Sequence, residues 1–110
     1  MSKHSKRIEN YGISAIDTET SPFEAVDMLH VRSKIETVIN ELTNEERLSL
    51  YFHDMKLIKN AKQMSIHIGE VYDFSLSDQS INEWWWHLDQ VADGEITFNL
   101  IPEMKPDMGI

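Results

Sequence analysis

Three segments of this chain repeat one short pattern, a serine or threonine followed three residues later by glutamate: Ser21-Pro22-Phe23-Glu24, Thr43-Asn44-Glu45-Glu46 and Ser80-Ile81-Asn82-Glu83. In such a capping box the hydroxyl accepts the amide of the third helical residue, and the glutamate carboxylate returns to the amide of the cap. The pattern satisfies donors that a helix start leaves orphaned, so it predicts helices beginning near Pro22, Asn44 and Ile81. Pro22 strengthens the first, because a missing N–H costs nothing at the first helical position.

The apolar spacing agrees. Met28, Val31, Ile35, Val38 and Leu42 recur at intervals of three and four, with Leu29 and Ile39 widening the stripe toward a core. After Thr43, the residues Leu48, Tyr51, Phe52, Met55, Ile58 and Ala61 form the expected buried face of the second helix, with Lys56, Lys59 and Lys62 outside. Residues 64–68 alternate with period two and fit a strand, but Gly69 also suits the end of a longer helix, which is the reading adopted. Tyr72, Phe74 and Leu76 are spaced to pin a loop over 69–79 across the core, and Gly94 should end the third helix. Residues 95–100 alternate as an extended segment before Pro102 and Pro106.

The resulting expectation is a mainly α chain: a small three-helix, or slightly larger, bundle with a short extended C-terminal segment. Residues 1–10 carry three Lys/Arg against one acid and read as a mobile basic arm, leaving residues 11–110 as a single helical domain. A content of 41% apolar and 26% charged residues argues against wholesale disorder.

Charge and missing residue types narrow the function. The formal net charge is −9, and from Gln63 to Met104 there are eight acids and no Lys or Arg. Such a field repels phosphate backbones and anionic lipid and speeds encounter with basic proteins. The absence of cysteine removes disulfides and thiolate chemistry and suits a reducing, cytoplasmic location. No run of 18 consecutive apolar residues is present, so neither nucleic acid nor membrane is an expected partner.

Phosphate-binding glycine loops, the G-x-S-x-G elbow and the H-E-x-x-H helix are all absent, and no catalytic constellation or cofactor is expected. Asp27 with His30, and Glu83 with His87, each place a carboxylate and an imidazole on one helical face, while His53-Asp54 is a lone dipeptide. A metal-binding helical protein or metal-dependent enzyme using His30, His53, His67 or His87 is the alternative these residues keep open.

Trp84-Trp85-Trp86 is the least ordinary run. Successive helical side chains point about 100° apart, so three neighbours cannot all face one core. Ile81, Trp85, Leu88 and Ala92 form the apolar stripe, which predicts burial of Trp85 and leaves Trp86 on the stripe Asn82, Trp86, Asp89, Asp93. Either loop 69–79 or the tail folds over Trp86, or Trp86 is an exposed anchor among acids. The leading expectation is a non-enzymatic acidic protein-binding module of inhibitor, adaptor or chaperone type. Asn82, Trp86, Asp89 and Asp93 would dock a basic protein surface or a second copy of the chain.

Overall fold

The computed structural model describes residues 3–98, which form five α-helices: α1 (Ser5–Ser14), α2 (Pro22–Thr37), α3 (Asn44–Lys59), α4 (Ala61–Ile68) and α5 (Leu88–Ala92). Short 3-10 turns occupy Ile39–Glu41, Phe74–Leu76 and Trp84–His87, and there is no strand among the described residues. The chain is mainly helical, as its patterning predicts. The expected extended segment over 95–100 contains no strand at 95–98, where Ile96 and Phe98 pack on the core; its end and the Pro102–Pro106 tail lie outside the described residues.

The three boxes have different fates. Ser21 caps α2 by accepting the Glu24 amide at 3.1 Å. Thr43 and Glu46 close a full reciprocal box on α3, at 3.1 and 2.8 Å. Ser80 starts a turn, not a helix: its hydroxyl accepts the Asn82 amide at 3.2 Å, and regular α-helix waits until Leu88. Gly94, with φ of 81°, provides the left-handed residue that ends α5. Between α3 and α4 the chain bends at Asn60, whose amide is shared between the Lys56 and Leu57 carbonyls.

The first correction concerns the N-terminus. Ser5–Ser14, whose first six residues fall in the expected arm, is helical, and Ile8, Tyr11 and Ala15 are buried at intervals of three and four. A helix of this length is marginal alone and has no side-chain cap, so the holding forces are tertiary. The second oxygen of Glu46 accepts the His4 amide at 2.9 Å, so one buried carboxylate serves the starts of both α1 and α3. Gly12 lets α1 approach α3 closely; a Cβ there would stand 2.3 Å from the His53 ring.

The second correction concerns α3. Of the face assigned to the core, only Ala61, at the start of α4, is fully buried, while Leu48 and Phe52 are 56% and 53% exposed. The inward positions are Glu46, Leu50 and Leu57, with His53 and Asp54 half-buried between them. Polar Glu46, His53 and Asp54 thus turn inward beside Leu50 and Leu57, while Leu48 and Phe52 face out, against the usual meaning of the periodicity.

Candidate functional site

Asp54 is the hub of a buried ionic cluster. Arg32, from α2, grips it with two hydrogen bonds, Nε to Oδ1 and Nη2 to Oδ2, both 2.9 Å, while Nη1 reaches Glu36 Oε1 at 2.9 Å. The Tyr11 hydroxyl of α1 donates to Asp54 Oδ1 at 2.5 Å. The guanidinium lies 4.2 Å from the centre of the Trp85 ring. Burial opposes the charge of Arg32, but its hydrogen bonds and attraction to Asp54 prevail and raise its pKa. Burial first, and then the Asp54 carboxylate, push the Tyr11 hydroxyl well above its ordinary value. With the charge satisfied and the phenol protonated, the cluster ties three helices together and offers no activated nucleophile or base.

A second cluster fixes the tryptophans. Ser33 Oγ accepts the indole N–H of Trp85 at 2.9 Å and of Trp86 at 2.8 Å, and donates to Glu83 at 3.0 Å. Trp85 is buried as expected. Trp86 is buried too, at 5% exposure, between His30 on one side and Tyr72 on the other, with ring centres 4.8 and 5.5 Å away. Loop 69–79 therefore covers it, and the exposed-anchor reading of Trp86 is overturned. The stripe Asn82, Trp86, Asp89, Asp93 presupposed one continuous helix, whereas the chain turns at 80–83 and tightens to 3-10 geometry at 84–87. Asn82 and Asp93 are exposed, and half-buried Asp89 accepts the Gln90 amide at 2.8 Å.

The histidines go to separate places. His67 donates through Nε2 to the Thr20 carbonyl and His87 to the Gln79 carbonyl, each at 2.8 Å, while His30 meets Trp86 edge to face. Glu83 turns to Ser33 and Asp54 to Arg32, so in two of the three carboxylate–imidazole pairs of the sequence the carboxylate is engaged elsewhere. Among the described residues no group of three or more His, Asp or Glu is placed to hold a metal ion. A cleft of about 380 Å³ between α1 and α3 is lined by Glu9, Glu45, Ser49 and His53, with Ile8 at its base. The His53 Nδ1 is turned toward Gly12 and has no hydrogen-bond partner. Burial, aided by Lys56 and opposed by Asp54 and Glu9, lowers the His53 pKa.

No protein-family model, curated protein or solved structure matches the chain. The surface must therefore be read from its own geometry. Over 70–83 the chain is held from inside by buried Phe74, whose ring meets Tyr72 at 5.0 Å, and by the His87–Gln79 bond. Asp73 stiffens the middle by accepting the Ser75 amide and hydroxyl at 2.9 and 2.6 Å. The outward side presents Val71, Leu76 at 78% exposure and Ile81 at 53%, among exposed Glu70, Asp73 and Asp78. None of these acids is in an ion pair among the described residues, and residues 63–98 contain no Lys or Arg. Sequence reasoning named Leu76 as an anchor into the core; only the fold distinguishes it from Phe74, two residues earlier.

No helix among the described residues is long and apolar enough to cross a membrane.

Proposed function

We propose that the protein is a non-enzymatic binding module that docks a basic protein surface through loop 70–83. The observation that carries the reading is the exposure of Leu76 and Ile81 within a stretch that contains no Lys or Arg and whose acids are in no ion pair among the described residues. Apolar side chains ringed by like charge match the composition of a docking patch: the apolar groups supply desolvation and residence time, and the acids steer a basic partner at a distance. The inner contacts of Tyr72 and Phe74 support it further, since a loop ordered before binding loses less entropy on association. Inhibitor, adaptor and chaperone all require such a surface.

The test begins with partners recovered from native lysate at low salt and eluted by a salt gradient. For a recovered partner, Leu76→Ala with Ile81→Ala should weaken binding by about 1–3 kcal/mol, chiefly through faster dissociation, with unchanged helicity. Asp73→Asn with Asp78→Asn should mainly slow association and flatten its salt dependence. A partner whose affinity ignores both pairs of substitutions and salt would refute the reading.

A further inference from the structure

The outer side of α3 carries an ordered stripe that the monomer leaves in water. Glu45, Leu48, Phe52, Met55 and Lys59 recur at intervals of three, four, three and four, the spacing of a helix–helix seam. Leu48 and Phe52 are more than half exposed, Met55 is half-buried, and Glu45 and Lys59 at the ends are exposed. Single exposed apolar residues are commonplace. Two large ones a turn apart, in seam register with a third, form a contiguous apolar strip along a helix of about 24 Å.

The charges say what covers the strip. Acid at the start and base at the end suit the dipole of α3 itself, but they also make the stripe complementary to its own reverse. Glu45 and Lys59 lie equally far, two turns, to either side of Phe52. When a second α3 is laid antiparallel with its Phe52 against the first, each Glu45 falls opposite the Lys59 of the other copy, and Leu48 falls beside the other copy's Met55. Neither Glu45 nor Lys59 has an ion-pair partner among the described residues, so both are available; Glu46 is engaged in the helix starts and is not. A two-fold axis requires this self-complementarity of one patch.

We propose that two copies of the chain associate through α3 as an antiparallel, two-fold-related pair, with Phe52 at the axis and Glu45 of each copy opposite Lys59 of the other. The pairing uses a surface separate in sequence from loop 70–83 and stands independently of that docking reading.

Sedimentation equilibrium of the full chain, from low to high micromolar concentration in moderate salt, tests it. The wild type should show a concentration-dependent monomer–dimer equilibrium. Phe52→Glu should be monomeric throughout; if it loses helicity, Leu48→Gln with Phe52→Gln reads the same contact. Glu45→Lys and Lys59→Glu should each weaken self-association by about tenfold, because like charges then face each other twice. Mixing those two variants should restore association, since every Lys then meets a Glu in the mixed pair. A wild type that stays monomeric, a dimer that survives replacement of Phe52, or a mixture no tighter than its components would each overturn the proposal. Binding of a basic partner by a monomeric Phe52→Glu protein would leave the docking reading intact.

Discussion

Arg32 is 5% exposed and keeps its charge only because Asp54 and Glu36 bracket the guanidinium while Trp85 lies against it. Removing one side of such a pair is worse than removing both. Asp54→Ala should destabilise the protein by about 3–5 kcal/mol in urea unfolding, and Arg32→Leu with Asp54→Leu should cost less than Asp54→Ala. The contact of His53 with Gly12 makes a different demand. A protonated ring would bring a hydrogen to Nδ1 where no acceptor waits. Its folded pKa is lowered, so the neutral ring contributes stability that is fully present above the unfolded value of about 6.5 and is lost as pH falls through the folded value. The urea midpoint of the wild type should accordingly drop relative to that of His53→Gln as pH is taken from 7 toward 5; parallel curves would show that His53 is not the group responsible.

Helix starts and helix faces were unequally legible. A cap is local chemistry, and the boxes at Ser21 and Thr43 locate α2 and α3 to the residue. At Ser80 the same letters precede three tryptophans, of which Trp85 and Trp86 are pulled to Ser33 and Trp85 also to Arg32, and this tertiary demand tightens the chain into a turn. Faces depend on partners far away in sequence. Asp54 and His53 sit inward on α3 because Arg32, Tyr11 and Gly12 receive them, which no window within residues 44–59 contains. Helix α1 escaped notice for the same reason: its support comes from Glu46 and Asp54. Of the expected docking residues, Trp86 was lost to Tyr72, while Asn82 and Asp93 are exposed and Asp89 is half-buried. Alanine at the three caps separates the cases: Thr43→Ala and Ser21→Ala should each cost about 0.5–2 kcal/mol in denaturation, the former more, whereas Ser80→Ala should be near neutral.

Across the whole molecule, charge is sorted along the chain. Within residues 3–98 every Lys and Arg precedes Gln63, and the acids beyond it have no cation nearby in sequence. Besides the shared core, the half without cations is tied back to the rest through Ser33, whose hydroxyl joins α2 to residues 50, 52 and 53 positions further on. With two donors received and one proton given, that oxygen has no bonding capacity left. The two indole protons it holds share one acceptor and one escape route: the tryptophan turn must part from α2 before either reaches solvent. Their deuterium exchange, followed by the indole resonances of Trp85 and Trp86, should proceed at a common protection free energy set by that opening, with the partly exposed Trp84 exchanging faster. Ser33 thereby makes the separation of the acidic half from the bundle directly visible in two proton signals.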